Sequence, residues 1–264
     1  MFKLIFILFL IALLLIVGIL IGVYILQERL AFSPEKLPQD FKYTFEGNWE
    51  EVYFTTEPGI VLNALHFKAE ASKGLVLYFH GNAGSLKKWG SVGQNFTPLG
   101  YDVLVMDYRG YGKSTGKIKK EADLHYDAAF IYKKMAEQYP KDKIVILGYS
   151  MGSGVASELA VNHSPSKLLL IAPFYNLTEA AKYAYPTLPS WLLRYKFAND
   201  ENLQKVKCPV YLFHGTGDTR VPYDHSVRLE QLADSIKLYT IGDSNHRNIT
   251  QYPAYHAALA EILR

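Results

Sequence analysis

Two serines of this chain sit between glycines in the pattern Gly-x-Ser-x-Gly: Ser150 in Gly148-Tyr149-Ser150-Met151-Gly152, and Ser114 in Gly112-Lys113-Ser114-Thr115-Gly116. Flanking glycines permit a sharp turn and close approach of neighbouring chain, which exposes a hydroxyl as a nucleophile toward an acyl carbon. Context separates the two. Ser150 follows the apolar run 143–147 directly and leads into Ser153, Gly154, Val155 and Ala156, a strand, tight turn and helix in succession. Ser114 follows Tyr108-Arg109-Gly110-Tyr111 with no helical pattern after it, and reads as a structural loop residue. That loop is not a phosphate cradle of the GxxxxGK[ST] kind, because Asp107 stands where its first glycine belongs. A dinucleotide reading of Gly152 and Gly154 fails at Ser157, where a third glycine or alanine is needed.

A serine hydroxyl is a weak nucleophile without a base, and the base needs an acid to orient it. After the apolar run 209–213 comes His214-Gly215-Thr216-Gly217-Asp218, and after the run 236–241 comes Gly242-Asp243-Ser244-Asn245-His246. Ser150, Asp218 and His246 therefore each follow a strand, at the end where open parallel sheets place their sites. Asp224 and Asp243 are rival acids; Asp224 is more simply a helix N-cap, and Asp243 lies in the same loop as His246. His66, His125, His163, His214, His225 and His256 read as surface or packing residues. An oxyanion needs preorganised backbone donors. The amides of Asn82, in His80-Gly81-Asn82-Ala83-Gly84 after the run 74–79, and of Met151 are the candidates.

The elements that must position these residues are legible as alternation. Short runs rich in Val, Ile and Leu at 74–79, 102–106, 143–147, 167–171, 209–213 and 236–241 read as buried strands. Helical spacing appears at 121–138, 155–161, 225–232 and 252–263. Strand and helix in turn predict a mostly parallel, doubly wound α/β sheet. An antiparallel start is expected from 51–55 and 61–68, which Pro58-Gly59 joins by a turn. The aromatic stretch 174–202 has two readings, the lining of an acyl pocket or helix packing over the sheet.

Before this domain, residues 4–26 carry no charge, and 21 of the 23 are apolar, Gly18 and Gly22 being the exceptions. At about 1.5 Å per residue this reaches roughly 34 Å, enough to cross a bilayer core of about 30 Å. An uncleaved single-pass membrane anchor over 1–26 is expected; a signal peptide is the alternative, with an apolar run longer than is usual for one. Lys3 on one side and Arg29, Lys36 and Lys42 on the other leave the orientation open. Residues 27–42, with Pro34 and Pro38, read as a linker, and 43–264 as one domain. A net charge of +3 without a basic run longer than two lysines gives no field for nucleic acid. The single cysteine, Cys208, rules out an intramolecular disulfide framework.

Taken together, His80 to Gly84, Asp107-Tyr108-Arg109-Gly110-Tyr111-Gly112-Lys113-Ser114, Gly148 to Gly152, His214 to Asp218 with Val221-Pro222, and His246 resemble the α/β-hydrolase superfamily. With the N-terminal anchor the chain looks most like the membrane-anchored, depalmitoylase-like branch, and more loosely like serine aminopeptidases. Epoxide hydrolases and haloalkane dehalogenases are matched only in part, since they carry an aspartate where this chain has Ser150. The resemblance implies an α/β-hydrolase fold and a Ser150, Asp218, His246 triad that cleaves an ester, thioester or amide of an acyl-type or lipid substrate. No metal or organic cofactor is required for that chemistry. A noncatalytic membrane-anchored scaffold of the same fold is the reading from a different class.

Overall fold

Runs of Val, Leu and Ile without polar alternation have two faces to bury, and in this chain they become the inner strands of a sheet covered on both sides. The computed structural model describes residues 1–264 apart from the side chain of Leu30. Its strands are β1 (Ser33–Pro34), β2 (Asn48–Glu57), β3 (Ile60–Lys68), β4 (Leu75–Phe79), β5 (Ala83–Gly84), β6 (Asp102–Met106), β7 (Ile144–Tyr149), β8 (Lys167–Ile171), β9 (Val210–Gly215) and β10 (Ile236–Ile241). Eight of them form one sheet in the order β10-β9-β8-β7-β4-β6-β3-β2, and β1 pairs with β5 as a separate short parallel ribbon. The pairs from β10 to β6 are parallel; β6 with β3 and β3 with β2 are antiparallel, as the Pro58-Gly59 turn predicts.

The helices are α1 (Phe2–Ala31), α2 (Leu86–Trp89), α3 (Glu121–Ala136), α4 (Met151–His163), α5 (Leu177–Ala184), α6 (Asn199–Leu203), α7 (Asp224–Glu230) and α8 (Pro253–Ile262). Alternate residues of β4 divide between the two faces: Leu75, Leu77 and Phe79 pack with α3, α4 and α7, while Val76 and Tyr78 pack with α2 and α8. Helix α4 is longer than its apolar spacing predicts, because its first turn is made of small residues that allow close packing. A Cβ on Gly154 would stand 2.4 Å from Cβ of Phe197. Helices α5 and α6 are short and lie in the aromatic stretch 174–202, for which helix packing over the sheet was one of the two readings. Asp224 is the first helical residue of α7, with Tyr223 as the N-cap, so the N-cap expectation is off by one residue.

Helix α1 continues to Ala31, past the end of the apolar run. It is the one helix long and apolar enough to cross a membrane among the described residues, and none of its apolar window is buried in the protein. Residues 27–37 touch the domain repeatedly. Gln27 Nε2 donates to Leu192 O (3.0 Å), and Gln27 Oε1 accepts from Arg194 N (2.6 Å). Phe32 is buried edge-on against Tyr195, with ring centres 5.0 Å apart. Ser33 N donates to Asn82 O (2.9 Å), Glu35 N to Gly84 O (2.9 Å) and Leu37 N to Gly112 O (3.0 Å). Such pairings between distant segments leave no local signature.

One buried histidine of the sheet sets a pH dependence. Burial holds His66 neutral, down to a pKa of about 4, with Lys68 adding to the shift. The unfolded chain takes up that proton near pH 6.5, so stability is lost as pH falls from about 6.5 toward 4. Between pH 7 and 5 the loss is expected to be about 2 kcal/mol. It should register as a drop in thermal midpoint that is smaller in His66→Phe, where half-buried His163 and buried His225, also held below the ordinary histidine value, still contribute; equal drops in both proteins would acquit His66.

Candidate active site

Ser150 lies between the last residue of β7 and the first of α4, with φ 52° and ψ −113°, a backbone conformation that L residues rarely adopt. The strain is held by its surroundings. Ser150 N donates to Ile171 O of β8 (2.8 Å). A Cβ on Gly148 would stand 2.3 Å from Gly152 O, and one on Gly152 would stand 2.0 Å from Phe79 O. Both positions therefore require glycine, and the turn that projects the Ser150 hydroxyl exists because of them.

The loops after β9 and β10 meet this turn. His246 Nε2 is 2.9 Å from Ser150 Oγ, and His246 Nδ1 is 2.7 Å from Asp218 Oδ2. A carboxylate only accepts, so Nδ1 carries the proton and Nε2 is free to accept from the serine hydroxyl. Tyr149 Oη donates to His246 O and fixes the loop from below.

Asp218 is buried and fully engaged. Its Oδ1 accepts from Arg220 N and Val221 N, both at 2.9 Å. Oδ2 accepts from His246 and lies 3.2 Å from His214 Nε2. Burial alone would push this carboxyl up, but the hydrogen bonds from His214, His246 and Val221 outweigh it and hold it well below the usual carboxylate range. His214, expected to be a surface or packing residue, is completely buried under Asp218. Its Nε2 faces two acceptors, Val221 O (3.0 Å) and Asp218, so it is the donor, and Nδ1 takes a hydrogen bond from Ser226 Oγ (2.6 Å). The signal for this second donor was a histidine and an aspartate four residues apart across two glycines.

The rival acids point elsewhere. Asp224 has a mostly exposed side chain, 4.0 Å from Arg228. Asp243 holds the loop through its main chain, its N donating to Thr216 Oγ1 (3.0 Å) and its carbonyl accepting from Tyr252 Oη (3.0 Å). Ser114 is buried and occupied, donating to Asp107 O and accepting from Asn63 N, each at 2.8 Å.

Met151 follows Ser150 directly, and the loop that carries Asn82 packs against the same turn, where a Cβ on Gly81 would stand 3.7 Å from the Tyr149 ring. Met151 N–H is the first of α4, where the helix supplies no carbonyl to accept it. Asn82 is pinned on three sides: its carbonyl accepts from Ser33 N and from Tyr111 Oη (2.7 Å), and its Nδ2 donates to Ala31 O (3.0 Å). Trp89 closes the loop, donating from Nε1 to Ala83 O (2.8 Å) and lying against Tyr149 with ring centres 5.3 Å apart. In the aromatic stretch 174–202 the buried rings follow the packing reading. Phe174, Tyr195 and Phe197 are core residues, whereas Tyr183, Tyr185 and Trp191 are exposed.

A parallel sheet wound on both faces, with a strained serine turn after a central strand and an acid and a histidine after the last two, is the α/β-hydrolase architecture. Residues 74–207 match the family described as alpha/beta hydrolase fold, and the chain belongs to that family. Among similar proteins, the lysophosphatidylserine lipase ABHD12 of Danio rerio is 33% identical over 189 residues, covering 64% of this chain and 49% of that protein. The chain thus spans about half the length of that relative. The protein Rv2307c of Mycobacterium tuberculosis is 31% identical over 229 residues, covering 85% of this chain and 81% of that one. The solved Pyrococcus furiosus esterase Pf2001 shares the fold with a TM-score of 0.69 at 22% identity, over 88% of this chain and 96% of its own.

Proposed function

We propose that this chain is a membrane-anchored serine hydrolase that cleaves a carboxylic ester through an acyl-enzyme, with Ser150 as nucleophile. The unbroken line of hydrogen bonds from Ser150 Oγ through His246 to Asp218 carries the reading. Ser150 Oγ attacks the carbonyl carbon as its proton passes to His246 Nε2; Asp218 keeps the imidazole in that tautomer and stabilises the imidazolium. The amides of Asn82 and Met151 take the negative charge on the carbonyl oxygen, Met151 with the favourable end of the α4 dipole behind it. His246 returns its proton to the leaving alcohol, then draws one from water, and the hydroxide so formed releases the acid and restores Ser150. The same residues serve a thioester or an amide. A lipid ester is preferred here because the ABHD12 relatives are named as lipases of lysophosphatidylserine.

Helix α1 supports a single-pass attachment to the membrane by its length and composition. Labelling of the full chain by a fluorophosphonate, absent from Ser150→Ala, tests the enzyme reading; an unlabelled wild-type chain with intact structure leaves the scaffold reading.

The ribbon of β1 with β5 supplies part of the oxyanion geometry on this reading, because Ser33 N is one of the two donors to the Asn82 carbonyl, the other being Tyr111 Oη. Ser33→Pro removes that donor without changing any group that touches substrate. Turnover is expected to fall on the order of tenfold with KM moved less, since a slightly displaced oxyanion donor weakens the transition state more than the ground state. Steady-state kinetics on a soluble ester check this, and an unchanged kcat would detach the ribbon from the site.

A further inference from the structure

Apart from α1 and its N-cap Met1, five large hydrophobic side chains stand exposed among the described residues, and three of them, Tyr183, Tyr185 and Trp191, fall within nine residues of chain. Trp191 is 74% exposed. This stretch is anchored at a definite height on α1. Leu192 O, one residue beyond Trp191, accepts from Gln27, and Gln27 in turn accepts from Arg194 N. Arg194 pairs with Glu28 (2.7 Å), and its guanidinium lies 5.4 Å from the centre of the Tyr24 ring. Tyr195 Oη donates to Glu28 (3.1 Å).

Gln27 is the first polar residue after the apolar run, so it marks the level at which α1 leaves the hydrocarbon layer. Trp191 is held at that level. Tryptophan and tyrosine are favoured in the headgroup region, where a ring meets apolar chains on one side and water on the other. Exposed rings of this size, grouped this closely along the chain, are of the kind that marks an interaction surface. The site lies close above. Asn82 bonds Ala31 O, four residues beyond Gln27 on the helix, on the order of 6 Å along its axis.

We propose that residues 183–191 form an aromatic rim seated in the headgroup layer of the leaflet from which α1 emerges, and that the site takes its lipid ester from that leaflet. The partner is the lipid surface itself, since the segment that carries Trp191 is bonded through Leu192 and Arg194 to the end of the membrane helix. This rests on the reading of α1 as a spanning helix, and the experiment separates the two.

The full chain is reconstituted in phosphatidylcholine vesicles whose acyl chains carry bromine either near the carbonyl or near the terminal methyl. Quenching is compared between wild type and Trp191→Phe, which isolates Trp191 from Trp49 and Trp89, and Leu13→Trp reports on the middle of α1. The expected result is that the Trp191 contribution is quenched by shallow bromine and little by deep bromine, while Leu13→Trp shows the reverse. Quenching at Leu13→Trp with none at Trp191 overturns the rim and leaves the anchor. Quenching at neither removes both. As a second measurement, Trp191→Ala with Tyr185→Ala should lower turnover of a vesicle-embedded long-chain ester on the order of tenfold and leave a short soluble ester unaffected, as loss of lipid contact without loss of chemistry. Equal turnover of both substrates would overturn the entry route. Loss of both activities in Ser150→Ala alone concerns the chemistry and not the rim.

Discussion

Ser150→Ala is expected to lower hydrolysis by on the order of 10⁴ to 10⁶ and to abolish fluorophosphonate labelling, while Ser114→Ala keeps most of both. The two serines share a glycine-flanked pattern and differ in surroundings. Ser150 Oγ has His246 Nε2 at 2.9 Å, whereas Ser114 Oγ bridges Asn63 N and Asp107 O inside the protein. Removing the Ser114 hydroxyl leaves a buried N–H and a buried carbonyl short of a partner, which costs about 1–3 kcal/mol of stability and not the chemistry. Ser150→Ala keeps the strained turn, because alanine and serine have the same backbone restrictions at φ 52°. Thermal midpoint and turnover should therefore move in opposite patterns: large loss of rate without loss of midpoint at Ser150, and the converse at Ser114. Equal loss of rate in the two variants would place the nucleophile elsewhere.

Asp218→Asn is expected to cut turnover by on the order of 10³ to 10⁴ with the fold intact. The hydrogen bonds dictate how. Arg220 N and Val221 N donate to Oδ1, so an amide in this place keeps its oxygen there and turns its NH₂ toward His246 and His214. Two donors then face each other, and His246 resolves the conflict by shifting its proton to Nε2, the atom that must accept from Ser150. Asp224→Asn and Asp243→Asn should each cost less than about tenfold, since neither carboxylate meets His246. Measured kcat for the three variants decides the matter, and a large loss at Asp243 with a small one at Asp218 would refute the assignment of the acid.

How much of this was legible in the sequence followed from range. Strands with two buried faces, such as β4, β6 and β8, are continuous apolar runs, and their limits were read to within a residue. The serine turn was legible because its glycines, strand and helix are neighbours in sequence. The order of Ser150, Asp218 and His246 was legible because each follows a strand. What stayed hidden depends on residues far apart. His214 looks like any strand-end histidine until Val221 and Asp218 fold back over it. The ribbon of β1 with β5 is two residues long, too short for any alternation, and exists only because Asn82 and Gly84 come to lie beside Ser33 and Glu35. The division of residues 174–202 into core rings and exposed rings follows from packing against Gly154 and α1, which no local spacing encodes.

The contacts of α1 with the domain also fix an order of events. Gln27 and Arg194, like Glu28 and Tyr195, are 167 residues apart. A chain made from its N-terminus at roughly 5–20 residues per second has its first helix finished on the order of ten to thirty seconds before Arg194 and Tyr195 exist. Closing a loop of that length carries more entropy than any hairpin or strand crossover in the sheet, so the docking of α1 waits on a domain already largely formed. Ser33 and Asn82 are much nearer in sequence and can meet earlier. The contacts of Gln27 and Glu28 with Arg194 and Tyr195 thus close late, and a nascent chain whose central sheet is largely formed still has to bring its oldest segment back to meet its newer ones.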